Sequence, residues 1–256
     1  MKIASIQLNI HWEDKLSNFK QAAKFVKQAK QDNCDLVVFP EMFNTGFSMN
    51  AKKIAENRDS ETTHFLCQLA KKHQINLIAG FVEKSDFGNE NIAIYINREG
   101  QKKSRYIKNH PYSYAGENKV YSSGEAQAIY DLDGCPATTF ICYDLRFPEL
   151  FRKVAQQVKI IFVIASWPVV RQKHWEILLQ ARAIENQCFV VGVNRIGTDG
   201  NGLEYGGGSH VYSPLGEPLS RGGDKQEYIV TEIDLTDVDK LRKSLPFLND
   251  MKKGGG

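Results

Sequence analysis

The 256-residue chain contains 42% hydrophobic and 25% charged residues, which are ordinary values for a globular protein. Its formal net charge is +3 and its lysines are scattered, so neither nucleic acid nor a membrane surface is expected as a partner. No apolar stretch has the length of a membrane helix. The five cysteines are widely spaced, and the amino-terminal segment is too polar for a secretory signal. We therefore expect free thiols, a cytoplasmic location and no metal site.

Strand and helix patterns alternate along the chain. Period-two alternation and short apolar runs indicate strands, and apolar residues at helical spacing indicate helices. In chain order, these patterns predict a strand over 2–9, a helix over 15–31, a strand over 34–41, a helix over 60–73, a strand over 75–83, a hairpin over 90–108, a helix over 149–157, a strand over 159–166, a helix over 172–187, a strand over 188–194, a hairpin over 210–220 and a strand over 228–235.

This order predicts an α/β layered architecture with a mixed sheet, because strand–helix units are combined with hairpins. The chain has no Pro/Ser-rich linker and no break in composition. We therefore expect a single domain over residues 1–250, followed by a flexible tail over 251–256.

Three positions at which a predicted strand ends carry a reactive side chain. Glu41 follows the apolar run VVF and a proline, Lys108 ends the first hairpin, and Cys142 ends the run TTFI. Glu117 follows nine residues after Lys108. Amide hydrolysis needs a nucleophile, a base and a donor to the oxyanion, and a thiol, a carboxylate and an ammonium supply them. Spacing alone leaves open whether these groups meet, because most buried cysteines are inert core residues.

The segments FPEMFNTGFSM, YIKNH and ICYDLRFPE resemble the signature segments of the nitrilase-related carbon–nitrogen hydrolases, and the similarity extends over residues 1 to about 245. By position, the resemblance implies that Glu41 is the general base, Lys108 the oxyanion lysine and Cys142 the nucleophile. It makes Glu117 a second glutamate that positions the lysine and the substrate, and the backbone N–H of Tyr143 would complete the oxyanion hole. It also implies a four-layer α-β-β-α sandwich with mixed sheets, a homodimer joined through helices, and no cofactor.

The segment over 165–209 resembles the bacterial omega-amidases. That resemblance implies a small-molecule substrate, the terminal amide of a short α-keto dicarboxylic acid such as 2-oxoglutaramate, hydrolysed through a thioester. The substrate carboxylate would need a cation in the pocket. Arg171 is the preferred candidate, Arg146 either binds substrate or braces the turn, and Arg195 is the third choice. The expected pocket walls are Phe43, Tyr143 and Trp167.

Several alternatives remain open. The chain could act on another amide, such as a deaminated-peptide amide or an N-carbamoyl compound. It could instead be a catalytically silent relative that binds a ligand or scaffolds a partner. A thiol hydrolase with a Cys–His pair is a third possibility, with His110 or His174 beside Cys142.

Overall fold

The computed structural model of the protein describes residues 1–86 and 88–252, so residues 253–256 of the predicted tail lie outside it. Its strands are β1 (Lys2–Gln7), β2 (Leu36–Val38), β3 (Asn76–Ser85), β4 (Gly88–Ile96), β5 (Lys102–Ile107), β6 (Ile129–Leu132), β7 (Cys135–Ile141), β8 (Ile160–Ala165), β9 (Phe189–Asn194), β10 (Ile196–Thr198), β11 (Glu204–Gly206), β12 (His210–Tyr212), β13 (Pro218–Arg221) and β14 (Glu227–Glu232). Its helices are α1 (Lys15–Gln31), α2 (Ala51–Ile54), α3 (Glu61–His73), α4 (Pro148–Val154), α5 (Gln172–Asn186) and α6 (Thr236–Ser244).

Most of these strands form two six-stranded sheets. The first has the order β14-β1-β2-β3-β4-β5, and the second has the order β13-β12-β9-β8-β7-β6. The central strands β1 to β3 are parallel, and so are β7 to β9. The outer strands are antiparallel to their neighbours, as in the hairpins β3–β4–β5 and β6–β7. Both sheets are therefore mixed, as predicted.

The two sheets face each other across a hydrophobic core. Leu36 and Val38 of β2 belong to the same buried cluster as Phe140 of β7 and Ile164 of β8. Val37, between them in the chain, points to the opposite face and packs with the helices. This alternation follows from the two-residue period of a strand and shows that β2 is covered on both faces.

Helices form the two outer layers. The buried face of α1 packs against the first sheet together with that of α3. The Asp14 and Ser60 side chains cap these two helices by accepting hydrogen bonds from the Ser17 and Thr63 backbone N–H groups. On the other side, α4 and α5 cover the second sheet. The predicted four-layer α-β-β-α sandwich is therefore confirmed, whereas the domain boundaries stay a prediction.

The predicted elements differ from the structure in a few places. The short helix α2, the strand β6, the short hairpin β10–β11 and the helix α6 were not predicted. The nine residues of α6 contain only two apolar side chains, Val238 and Leu241, which is too short a pattern to predict a helix. The strand before Cys142 ends at Ile141, because Cys142 has a positive φ of 47° and begins a 3-10 turn. No helix in the described ranges is long and apolar enough to cross a membrane.

Candidate active site

The candidate site lies where strands of both sheets end. Glu41 follows β2 and Lys108 directly follows β5 in the first sheet, whereas Cys142 follows β7 and Ser166 follows β8 in the second. The carboxyl ends of parallel strands lie at one edge of a sheet, which is the usual place for a site in an α/β fold. Because the two sheets face each other, these strand ends from both sheets meet.

A buried cluster of charges forms the floor of the site. The Lys108 ammonium donates to Glu41 Oε1 at 2.9 Å and to both carboxylate oxygens of Glu117, at 3.0 and 2.8 Å. The Asn91 amide nitrogen donates to Glu41 Oε1 at 2.7 Å and to Glu117 Oε1 at 2.9 Å. We call these four residues the glutamate–lysine cluster. All four are at most 1% exposed.

The two carboxylates of this cluster stabilise the charged form of Lys108. Burial alone would lower the pKa of Lys108, but the neighbouring carboxylates of Glu117 and Glu41 raise that pKa well above its ordinary value. Lys108 is therefore a permanent cation at neutral pH. Such a cation beside the nucleophile can stabilise an oxyanion without having to gain or lose a proton.

Cys142 lies beside this cluster, and the backbone of Ser166 contacts both. The Cys142 thiol points to the Ser166 carbonyl oxygen at 3.8 Å, and the Ser166 N–H donates to Glu41 Oε2 at 2.8 Å. Burial raises the pKa of Cys142 well above its ordinary value, the Glu41 charge raises it further, and Lys108 opposes both. The resting group is therefore a neutral thiol, which needs a base to become a nucleophile.

Asp144 holds the turn that carries Cys142, a role that the sequence analysis missed. Its carboxylate accepts hydrogen bonds from the Tyr106 hydroxyl at 2.8 Å, the Ile141 backbone at 3.2 Å and the His110 backbone at 2.9 Å. The His110 ring nitrogen Nδ1 also lies 3.1 Å from Asp144. Asp144 therefore ties the turn to β7 and to the segment that follows Lys108.

The two histidines considered for a Cys–His pair have other partners. His110 stacks on Phe147, with ring centroids 3.6 Å apart, in addition to its contact with Asp144. His174 lies on the exposed side of α5, where its Nδ1 is 3.3 Å from an Arg146 nitrogen. Neither arrangement supports a base role for histidine. Within the described ranges, no group of three or more His, Cys, Asp or Glu side chains is arranged to hold a metal ion.

A cavity of about 230 Å³ opens above Cys142. Four of the predicted substrate-binding residues line it, namely Tyr143, Arg146, Trp167 and Arg171. The other lining residues were not predicted to bind substrate and come from four segments of the chain: Phe47, Met49, Tyr112, Ala115, Ser166, Pro168, Asp199, Asn201, Leu203 and Tyr205. The lining is thus mostly aromatic and apolar, with two arginines and one acidic residue, Asp199, whose carboxylate accepts from the Tyr205 hydroxyl at 3.0 Å.

The two lining arginines each lie over an aromatic ring. The guanidinium of Arg146 is 4.7 Å from the ring centroid of Trp167, and that of Arg171 is 5.6 Å from the ring centroid of Tyr112. Neither guanidinium forms an ion pair with an acidic side chain of the part of the chain that the structure describes. Arg146 therefore does not brace the turn through an ion pair, and both cations are available to an anionic ligand.

The third arginine candidate lies elsewhere. Arg195 is fully buried, donates to the backbone oxygen of Ile196 and packs on the Tyr205 ring at 4.5 Å. Burial lowers its pKa, and its side chain does not line the cavity. Arg195 therefore supports Tyr205 from behind the cavity wall.

The structure also corrects the prediction for Phe43. Phe43 is fully buried in the core between the first sheet and its helices, where its ring stacks on those of Phe39 and Phe19 at 5.2 and 6.2 Å. Phe47, four residues later in the same loop, lines the cavity instead, and its ring centroid is 5.2 Å from the Lys108 ammonium. Residue type and proximity to Glu41 did not distinguish these two phenylalanines.

Comparison with known proteins agrees with this geometry. The profile of the family described as carbon-nitrogen hydrolase matches residues 2–243. The 2-oxoglutaramate amidase of Bacillus subtilis is 34% identical over 98% of this chain and 97% of that protein. Omega-amidase YafV of Escherichia coli is also 34% identical, over 98% of this chain and 96% of its own length.

A solved structure supports the same assignment. The protein XC1258 from Xanthomonas campestris, a CN-hydrolase superfamily member with an arsenic adduct in its active site, superposes with a TM-score of 0.95. It is 28% identical, and the match covers 100% of this chain and 98% of that one. The predicted enzyme class, a hydrolase that acts on carbon–nitrogen bonds, is confirmed, because the chain belongs to the carbon–nitrogen hydrolase family.

Proposed function

We propose that the chain is a cysteine-dependent amidase that hydrolyses the terminal amide of a small, carboxylate-bearing substrate. The proposed substrate class is that of 2-oxoglutaramate, which would yield 2-oxoglutarate and ammonia. One observation carries the proposal: Cys142 lies between the glutamate–lysine cluster and a cavity that contains two arginines without an acidic partner among the described residues. The names of the two relatives at 34% identity support the same substrate class.

In the first half-reaction, Glu41 takes the thiol proton as Cys142 Sγ forms a bond to the amide carbon. The carbonyl electron pair moves to oxygen, and the resulting oxyanion is held by the Lys108 ammonium and the Tyr143 backbone N–H. Glu41 then gives the proton to the amide nitrogen, the carbon–nitrogen bond breaks, and ammonia leaves. A thioester to Cys142 remains.

In the second half-reaction, Glu41 acts as base again. It takes a proton from water as the water oxygen attacks the thioester carbon, and the oxyanion forms in the same hole. The carbon–sulfur bond then breaks, and the proton returns from Glu41 to the Cys142 sulfur. Throughout both steps Glu117 holds Lys108 in place through its two hydrogen bonds to the ammonium, at 3.0 and 2.8 Å.

Substrate selection would reside in the cavity wall. We propose that Arg171 binds the substrate carboxylate and that Arg146 provides a second cation for the same end of the molecule. Guanidinium groups pair with carboxylates through two parallel hydrogen bonds, which fixes orientation as well as charge. Tyr143 and Trp167 would pack against the short carbon chain between the carboxylate and the amide.

We also propose that the protein forms a homodimer through α5. Ile177 and Ile184 are about half exposed and lie seven residues apart, on one face of the helix. Leu215, in the adjacent loop, is 58% exposed. Exposed apolar side chains in one patch mark interaction surfaces. Light scattering should give twice the monomer mass for the protein and the monomer mass for Ile184→Glu. A monomeric unsubstituted protein contradicts this proposal.

Ammonia release from 2-oxoglutaramate tests the proposed reaction. The protein should release ammonia, and Cys142→Ala should release none because no thioester can form. Cys67→Ala is the matched control: Cys67 is partly buried on α3 and does not line the cavity, and this variant should keep full activity. Turnover that persists in Cys142→Ala overturns the mechanism.

Substrate class is tested separately by kcat/KM. The panel comprises 2-oxoglutaramate, an N-carbamoyl amino acid and a deaminated-peptide amide. We expect the highest kcat/KM for 2-oxoglutaramate. A higher value for either other compound contradicts the proposed substrate class and leaves the cysteine mechanism intact.

A further inference from the structure

Asn91, on the central part of β4, occupies an unusual position in the site. Its side-chain nitrogen donates to Glu41 Oε1 at 2.7 Å and to Glu117 Oε1 at 2.9 Å, so both N–H groups are directed at carboxylates. Its side-chain oxygen has no partner among the described residues. Because carboxylates only accept hydrogen bonds, the amide nitrogen must face them, and the network fixes the orientation of the amide.

The same two carboxylate oxygens also accept from Lys108. Glu41 Oε1 and Glu117 Oε1 lie 2.9 and 3.0 Å from the ammonium, so two like charges converge on one cation in a fully buried place. Buried like charges repel, and only donors directed at them hold them together. Asn91 supplies two such donors and adds no charge of its own.

The backbone keeps Asn91 and Lys108 in fixed relation. The Lys108 N–H donates to the Asn91 carbonyl oxygen at 2.9 Å, at the end of the ladder between β4 and β5. The amide and the ammonium therefore approach the two glutamates from adjacent strands, and neither can shift without the other. Asn91 is 1% exposed and does not line the cavity, so it does not contact a substrate.

We propose that Asn91 is a positioning residue that holds Glu41 and Glu117 together around Lys108 and thereby keeps Glu41 aligned as the base for Cys142. This role rests on the proposed function, because it acts through the base and the oxyanion lysine. A residue that only filled space would be required for its volume. In the proposed role, the site instead requires the two N–H donors of Asn91.

Three variants separate the donor role from the shape. Asn91→Ala removes the donors, and Asn91→Leu removes them at nearly the same volume and without adding a charge. We expect both to lower kcat for 2-oxoglutaramate by about 10- to 100-fold with KM unchanged, since misplaced catalytic groups slow the chemical step. Asn89→Ala is the matched control: Asn89 lies two residues earlier on β4 and is partly exposed, and kcat should be unaffected. Near-normal kcat in Asn91→Leu overturns the proposal.

A double-mutant cycle with Glu117→Gln provides the readout that a merely structural residue would not change. If Asn91 acts by restraining Glu117, the loss in kcat from Asn91→Ala should be smaller in the Glu117→Gln background, because one of the repelling charges is gone. Losses that multiply independently contradict the proposal. If thermal unfolding shows that Asn91→Ala is not folded, Asn91→Ser, which retains one donor, takes its place, with an intermediate kcat expected and an unchanged kcat contradicting the role.

The control reactions distinguish this inference from the function on which it rests. Activity that persists in Cys142→Ala removes the cysteine mechanism itself. Activity that is lost in Cys142→Ala but normal in both Asn91 variants removes only the positioning role.

Discussion

The charged side chains on the floor of the cavity differ from those at its mouth in burial and in ion pairing. On the floor, the Lys108 ammonium pairs with Glu41 and Glu117, and all three side chains are at most 1% exposed. At the mouth, Arg146 and Arg171 are partly exposed and lie over aromatic rings, with no acidic partner among the residues described.

This difference follows from the energetic cost of burying charge. A fully buried ion needs a partner within the protein, so the floor must be complete before any substrate enters. A partly exposed guanidinium is solvated by water and can exchange that water for a ligand's carboxylate. Substitutions on the floor should therefore change kcat and stability, whereas substitutions at the mouth should change KM. The following predictions test that division.

Glu41→Gln should have the largest effect. It removes the proposed base, so kcat for 2-oxoglutaramate should fall by about 10²- to 10⁴-fold. The same variant should alkylate faster with iodoacetamide, because the Glu41 charge raises the pKa of Cys142 and its loss lowers that pKa. The thiolate then forms at a lower pH than in the unsubstituted protein.

Glu41→Gln should thus lower kcat but raise the alkylation rate, a combination that simple disruption of the site would not produce. The pH dependence of alkylation is followed by intact-protein mass spectrometry in a Cys67→Ala background, so that the partly buried Cys67 does not contribute. An alkylation profile that does not move to lower pH contradicts the electrostatic coupling between Glu41 and Cys142.

Lys108→Met tests the floor through both activity and stability. Loss of an oxyanion donor should lower kcat by about 10²- to 10³-fold. The two buried carboxylates lose their cation, so the free energy of unfolding should fall by about 3–5 kcal/mol. Urea unfolding and kcat are measured together, with Lys102→Met, exposed at the start of β5, as the control. A stable Lys108→Met protein contradicts the view that the floor depends on its ion pairs.

Arg171→Ala should raise KM for 2-oxoglutaramate by about 10- to 100-fold and leave kcat unchanged, since a hydrogen-bonded ion pair to substrate is lost. The KM of Arg171→Lys should lie between those of the unsubstituted protein and Arg171→Ala, because an ammonium keeps the charge but cannot form the paired hydrogen bonds of a guanidinium. Arg146→Ala should have a smaller effect on KM. A neutral amide of the same length serves as control substrate, and an equal loss with that substrate would show that Arg171 does not bind the carboxylate.

The α/β layering and the three strand-end groups were predictable from the sequence for a physical reason, whereas the four-layer sandwich was expected from the family resemblance. Apolar periodicity determines which faces of strands and helices are buried, and it predicted α1 at its observed bounds, Lys15–Gln31. The strand ends then placed Glu41, Lys108 and Cys142 in segments that resemble a known family. The observed convergence of the glutamate–lysine cluster needed the structure, because it depends on how two sheets face each other.

Other parts of the site left no signal in the sequence. Asn91 is a polar residue at the start of the apolar run IAIYI, and nothing local distinguishes it from a solvated side chain. Asp144 follows Cys142 by two residues, yet its role depends on Tyr106 and His110, more than thirty residues away in the chain. Contacts made at such sequence separation are set by tertiary packing and not by local periodicity.

The phenylalanines of one loop provide the smallest and most closely matched test. Phe43 packs in the core and Phe47 lines the cavity. Phe43→Leu should therefore lower the free energy of unfolding by about 1 kcal/mol and leave KM unchanged. Phe47→Leu should raise KM for 2-oxoglutaramate a few-fold and change stability less, because its ring is already partly exposed. Both variants are compared by urea unfolding and steady-state kinetics. A KM change in Phe43→Leu as large as that in Phe47→Leu would contradict the assignment of Phe43 to the core and Phe47 to the cavity wall.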